Sequence, residues 1–175
     1  MYIVSKCLLG YDCKYNGGNN KNDAVIEFCK THDYVTICPE TAGGLDSPRL
    51  PAEIVNKPGE EVRVVNRDGA DLTRQFNDGA AKSMKAVMDE LSSRGNAARI
   101  EGAILKANSP SCGSGVIYDG SFTGTKTQGY GVFTALLIKA LRNERNATGN
   151  FVAHCSFAEY FKIVDENGLS ELVNK

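Results

Sequence analysis

Three short apolar runs constrain this chain more than anything else in it. Residues 2–6, 34–37 and 100–106 are rich in aliphatic, β-branched or aromatic side chains, so each is predicted as a strand. Each leads into a cysteine in a segment that cannot continue the strand. These segments are Cys7-Leu8-Leu9-Gly10, Cys38-Pro39 and the turn Ala107-Asn108-Ser109-Pro110-Ser111-Cys112-Gly113-Ser114-Gly115. Between the runs lie helical patterns. Residues 23–31 carry apolar positions at 24, 25, 28 and 29, and a longer helix opens at Asp71-Leu72-Thr73 and runs to about Arg94, where Gly95 stops it. Residues 130–142 are again apolar on a helical period. A last strand at residues 151–153 and a helix capped by Ser156 running to about Glu166 complete the expectation.

Strands that alternate with helices indicate an α/β fold: a Rossmann-like, mostly parallel sheet flanked by helices. One or two β-hairpins interrupt the alternation. One pairs Ile54-Val55 with residues 62–65 around Lys57-Pro58-Gly59; the other pairs residues 116–118 with 121–123 around Asp119-Gly120. Residues 11–20 and 38–52 read as loops. A length of 175 residues suits one domain, 1–175. The net charge of −1 has no block of either sign, which argues against a nucleic-acid polymer as partner. Apolar runs such as 132–138 are too short to span a bilayer, and residues 1–6 lack the pattern of a signal peptide. The expected location is cytoplasmic, with no membrane partner.

Six cysteines exceed what packing alone requires, and no Cys-x-x-Cys pair points to a zinc finger or a thioredoxin-type motif. Taken singly, Cys7, Cys38 and Cys112 each fit a small core residue. Taken together, at the ends of three strands of a parallel sheet, they converge on one edge and read as metal ligands. Soft thiolates select zinc, Cu(I) or an iron–sulfur cluster, and three of them leave one coordination position open for chemistry. His32 and His154 read as surface or capping residues, and this scarcity of imidazole favours a cluster over a mononuclear zinc hydrolase. Cys29 and Cys155 read as core residues. Cys13 stays open between a fourth ligand and a bystander.

At these residues the chain resembles the thiouracil desulfidase family. The resemblance is carried by Cys7-Leu8-Leu9-Gly10 with Cys13-Lys14-Tyr15-Asn16-Gly17, Cys38-Pro39-Glu40 with Gly43-Gly44-Leu45 and Pro48-Arg49, and Ser109-Pro110-Ser111-Cys112-Gly113. Further matches are Gly69-Ala70-Asp71-Leu72-Thr73, Phe76, Gly79-Ala80, Tyr118-Asp119-Gly120 and Gly129-Tyr130-Gly131-Val132. It is strongest over 2–141, and residues 142–175 diverge. The family's Arg-Tyr-Asp-Gly is Lys14-Tyr15-Asn16-Gly17 here, which removes one carboxylate.

The resemblance implies an enzyme with a [4Fe-4S] cluster held by Cys7, Cys38 and Cys112. Its remaining iron binds the sulfur of a thiolated nucleobase, and hydrolysis replaces that sulfur by oxygen. It further implies Glu40 as the acid/base carboxylate and Ser109 as the assisting hydroxyl, with Ser111 and Asn108 toward the substrate. Glu40, tethered beside Cys38, suits a proton shuttle; a partner for Arg49 or a helix cap is the structural alternative. Asp46, Arg49 and Lys106 are further candidates to line the pocket. Two other readings use the same three thiols: a non-catalytic sulfide- or metal-binding protein, and a three-thiolate zinc enzyme.

Overall fold

The computed structural model describes residues 1–55, 61–95, 97–146 and 157–173. In chain order the elements are β1 (Tyr2–Ser5), α1 (Asp23–Cys29), β2 (Tyr34–Ile37), α2 (Pro39–Ala42), β3 (Ala52–Val55), β4 (Arg63–Asn66) and α3 (Thr73–Ser93). They continue with β5 (Ile100–Leu105), β6 (Ser114–Tyr118), β7 (Lys126–Tyr130), α4 (Val132–Asn146), β8 (Phe157–Asp165) and α5 (Ser170–Val173).

β1 is buried at all four positions, which requires cover on both faces. Successive side chains deliver it. Ile3 packs with Ala103, Leu105, Val87, Leu91, Phe133 and Leu137 under α3 and α4. Val4 points the other way and packs with Ile104, Val25 and Phe28 under α1. The result is three layers, helix on sheet on helix. Each fully buried aliphatic or aromatic side chain contributes about 1.5–3 kcal/mol, so truncating the fully buried Phe133 to alanine costs about 3–5 kcal/mol.

The sheet is parallel throughout, in the order β2-β1-β5-β8. From β1 the chain goes through α1 to one neighbour, β2. From β2 it crosses through α3 to the other neighbour, β5. The strand order therefore reverses between β1 and β5, and in an open α/β sheet the crevice outside the carboxyl ends at that reversal is where ligands bind. Cys7 and Cys112 leave the sheet on either side of it.

The hairpins are two separate antiparallel pairs, β3 with β4 and β6 with β7. The first follows the sequence expectation. The second does not: β6 pairs with residues 126–130 and not with 121–123, through Gly115↔Gly129 and Ile117↔Thr127. The connection is organised from outside. One oxygen of the buried Glu53 carboxylate accepts the N–H groups of Gly120 and Phe122, each at 3.0 Å, and so ties the first hairpin to the second. Phe122, which a two-residue Asp-Gly turn would leave in an extended strand, has a φ of 57°.

The C-terminal expectation is also corrected. Residues 157–165 form a strand and not a helix, because the free edge of β5 offers a ladder that they fill in parallel register, Ala103↔Ile163 and Leu105↔Asp165. Phe161 and Ile163 meet the cluster under α3 and α4, while Val164 meets the cluster under α1, as a strand's alternation requires. The strand expected at 151–153, together with His154 and Cys155, lies outside the described residues. Among the described residues, no helix is long and apolar enough to cross a membrane.

Candidate active site

The segment after β1 turns at once into a 3-10 turn, Lys6–Leu9, closed by Gly10 at φ 90°. This places Cys7 at the sheet edge, half-buried. The loop that follows is pinned to residues 46–49. Ser47 Oγ donates to the carbonyls of Asp12 (3.2 Å) and Lys14 (2.9 Å), and the Arg49 N–H donates to Tyr15 O at 2.7 Å. Cys13 is consequently buried.

Cys38 ends β2 and caps α2, a single turn with proline in its first position. That turn sits on α3 with backbone against backbone. A Cβ on Gly79 would lie 1.9 Å from Pro39 O, and one on Gly43 would lie 2.1 Å from Gln75 O. Only glycine permits this approach, which fixes Cys38 and Glu40 against the long helix.

Cys112 sits in the loop between β5 and β6, nearly all of it inaccessible. The start of α4 holds this loop. Its first N–H groups, which have no partner inside a helix, donate to loop carbonyls: Gly131 to Gly113, Val132 to Pro110 and Phe133 to Ser111, all at 2.9 Å. Gly131 approaches Ser111 so closely that a Cβ would meet its carbonyl carbon at 2.4 Å. Asn108 serves as the turn residue of the loop, at φ 58°, and bridges to Ile117 through the backbone.

The thiols interact with one another. The Cys13 thiol, donating toward Cys38 and Cys7, is itself pushed far up. The same contact pulls Cys38 down to about 6 against the opposing effect of burial, with help from Thr41. Cys7 is lowered first by Cys13 and further by the Asn20 side chain and the Lys106 charge. Burial raises Cys112, with Cys7, Cys38 and Glu40 adding negative field, while the Ser5 hydroxyl works in the opposite direction. The structure thus brings the three predicted ligands within electrostatic reach of one another and adds Cys13 to them. Among the described residues, no group of three or more Cys, His, Asp and Glu side chains is arranged to hold a single metal ion.

Beside these thiols runs a chain of polar contacts. Arg49 donates to Glu40 Oε2 from both Nε (3.0 Å) and Nη2, and its remaining donors reach Asp46 O (2.8 Å) and Cys13 O (3.1 Å). Glu40 Oε1 accepts the Ser111 hydroxyl at 2.7 Å. Ser111 Oγ lies 3.0 Å from Ser109 Oγ, and because the Ser111 proton is committed to the carboxylate, Ser109 is the donor of that pair. Ser109 Oγ in turn accepts the N–H groups of Ser111 (3.2 Å) and Cys112 (3.1 Å). Protons can therefore pass along Ser109, Ser111 and Glu40, and Arg49 holds the end of the line.

A family model described as 2-thiouracil desulfurase matches residues 2–145. The chain belongs to that family. An uncharacterized protein of Bacillus subtilis (strain 168), YbbK, is 42% identical over 145 residues, which cover 80% of this chain and 91% of YbbK. A solved structure, the [4Fe-4S]-dependent thiouracil desulfidase TudS, is similar with a TM-score of 0.70 and 33% identity, over 98% of this chain and 94% of TudS.

Sequence reasoning placed Cys7, Cys38 and Cys112 on one sheet edge, and the family resemblance put Glu40, Ser109 and Ser111 beside them; the structure brings Glu40, Ser109 and Ser111 into one hydrogen-bonded chain next to the Cys112 loop. It makes Ser111, and not Ser109, the direct partner of Glu40. His32 lies at the opposite, amino end of β2, stacked on Phe28 with ring centroids 3.9 Å apart and its Nδ1 2.9 Å from Phe28 O. Cys29 is half-buried on α1, and burial pushes its thiol up to about 11. Sequence reasoning missed Glu166, which reaches Lys106 and the start of the Cys112 loop. No local signal marks Glu166, because its position depends on β8 being a strand.

Proposed function

We propose that this protein is a [4Fe-4S]-dependent desulfidase that removes sulfur hydrolytically from a thiouracil-like base. The observation that carries the reading is the Ser109–Ser111–Glu40–Arg49 chain lying against three interacting thiols at the strand-order reversal. Membership of the 2-thiouracil desulfurase family and the likeness to TudS support it.

Cys7, Cys38 and Cys112 would hold the cluster, one thiolate to each of three irons. When bound, the cluster supplies an open, thiophilic iron that draws electron density from the C–S carbon of the substrate. The protein does the rest. Water adds its oxygen to that carbon, the C–S bond breaks, and the sulfur leaves as sulfide.

Glu40 takes the proton of the attacking water and returns it to the leaving sulfur or to the ring nitrogen. Ser111, bonded to Glu40, carries the proton to and from Ser109, whose own hydroxyl donates to it and whose oxygen is held by the N–H groups of Ser111 and Cys112. Ser111 and Asn108 border the base. Arg49 fixes the Glu40 carboxylate by a forked contact, a geometry that a lysine does not reproduce. Burial of both partners of this ion pair keeps it from being screened, with side chains only 11% and 15% exposed.

The test is anaerobic reconstitution with iron and sulfide, followed by sulfide release from 2-thiouracil. The expected result is a brown protein with turnover, and a Glu40→Gln variant that keeps its iron and loses turnover. A folded protein that takes up no iron refutes the reading, and metal analysis that finds zinc in its place refutes the cluster. An E40Q variant with undiminished turnover refutes the role of the carboxylate.

A further inference from the structure

The loop that carries Ser109, Ser111 and Cys112 is held at both ends. The first N–H groups of α4 hold its second half, residues 110–113. Its first half leaves β5 after Leu105, and the next two N–H groups are taken by side chains. Lys106 N–H donates to Ser5 Oγ at 3.0 Å, and Ala107 N–H donates to Glu166 Oε2 at 2.8 Å. Ser5 ends β1 and Glu166 follows β8, so the loop is caught from the strand on either side of β5.

Lys106 completes this hold. Its Nζ donates to Glu166 Oε1 and to Ala107 O (3.3 Å), so the ion pair engages Ala107 through both its N–H and its C=O. The Leu105↔Asp165 register sets the two side chains next to each other. They are 23% and 12% exposed, and both carboxylate oxygens are in use.

The residue after Ala107 needs such a hold. Asn108 has a φ of 58°, a left-handed conformation that is uncommon for a residue with a side chain and persists where its surroundings over-determine it. Ser109 follows directly. Its Oγ accepts the N–H groups of Ser111 and Cys112 and lies 3.0 Å from Ser111 Oγ. The place of that oxygen therefore depends on a turn whose leading residue the ion pair grips. Glu166 lies beyond residues 2–145, the part that the family model matches.

We infer that Glu166, together with Lys106, is a positioning residue for Ser109: it grips the backbone of Ala107 and so fixes the left-handed turn that sets the Ser109 hydroxyl in the proton path. The role of that path rests on the desulfidase reading above; the grip itself does not require the cluster.

The experiment compares the parent with Glu166→Ala and Glu166→Gln. Both variants take away the charge partner of Lys106, but only glutamine keeps an oxygen for the Ala107 N–H, so the comparison isolates that contact. Amide hydrogen exchange is first read residue by residue in iron-free protein. In E166A the amides of Ser111 and Cys112, which bond to Ser109 Oγ, exchange about tenfold faster, while those of Gly131 and Phe133 at the start of α4 stay within about twofold of the parent. E166Q stays near the parent at all four. After anaerobic reconstitution, kcat for sulfide release from 2-thiouracil, taken per bound iron, falls roughly tenfold in E166A and stays near the parent in E166Q. Unmoved exchange at Ser111 and Cys112 in E166A overturns the inference. So does an equal rise at Gly131 and Phe133, which is general loosening, or an equal effect of E166A and E166Q, which makes it a matter of charge. Faster exchange with a parental rate per iron overturns it as well. If the parent itself takes up no iron or releases no sulfide, the desulfidase reading fails, and the exchange rates still decide whether Glu166 holds the Ser109 turn.

Discussion

Gly79→Ala offers a test of how the site is held together. Position 79 lies inside α3, and replacing glycine by alanine in a helix interior ordinarily stabilises by roughly 0.5–1 kcal/mol. Here the new methyl would sit 1.9 Å from Pro39 O and 2.9 Å from Gly43 N. Ordinary contact begins at 3.4 Å, so α2 has to retreat by about 1.5 Å. The obstacle is backbone, and no rotamer change relieves it. Overpacking of this kind costs about 1–3 kcal/mol, which outweighs the gain in propensity. The net expectation is a loss of about 1–2 kcal/mol, or a Tm lower by roughly 3–6 °C for a chain of this size. The same retreat carries Cys38 and Glu40 away from Cys112 and Ser111, so iron retained after anaerobic desalting falls as well. Thermal unfolding followed by circular dichroism, with iron quantified on the same sample, makes the measurement. A Tm at or above the parental value with full iron would refute the claim that the glycine contact positions the site.

Three further outcomes follow from contacts elsewhere. Glu53→Ala leaves the half-buried N–H groups of Gly120 and Phe122 without their protein acceptor, at about 1 kcal/mol each, and is expected to speed amide exchange at those two residues first; unchanged protection there contradicts the tie between the hairpins. Ser111→Ala removes a hydrogen bond to a charged group, worth about 1.5–3 kcal/mol, so sulfide release drops roughly tenfold to a hundredfold with iron content intact; an unaffected rate removes Ser111 from the proton path. Burial holds the Cys29 thiol up to about 11, above its ordinary 9.0, so its contribution to stability is fully present below pH 9 and is lost as pH rises through 11. Urea midpoints between pH 7 and 11 should therefore fall less steeply in Cys29→Ala, and parallel slopes would contradict the shift.

The order of strands and helices was largely legible, because the apolar runs of β1, β2 and β5 and the long helical period of α3 are local patterns. The cysteines at the ends of those strands were legible for the same reason: a strand that stops at Cys7, Cys38 or the turn before Cys112 delivers its thiol to one edge. What failed depended on distant partners. Residues 157–165 carry apolar and charged side chains that suit a helix as well as a strand, and only the open edge of β5 decides between them. The partner of β6 was misplaced because Asp119-Gly120 looks like a complete turn until Glu53 is seen to reorganise it. On paper Ser109 was preferred to Ser111 as the assisting hydroxyl. Their roles separate only when the loop is folded, with Ser109 spent on the N–H groups of Ser111 and Cys112 and Ser111 left to face Glu40. Glu166 was invisible because its place beside Lys106 follows from the β5–β8 register.

The central claim is that three thiols at the carboxyl edge of this sheet hold a catalytic cluster. Its most direct test is iron and acid-labile sulfide per chain in anaerobically reconstituted protein, measured together with sulfide released from 2-thiouracil by the same sample. The expected values are about four irons and about four sulfides per chain with sustained release, and loss of both when Cys7, Cys38 or Cys112 is replaced by serine. A folded, iron-free chain, or a fully loaded one that releases no sulfide, would contradict it.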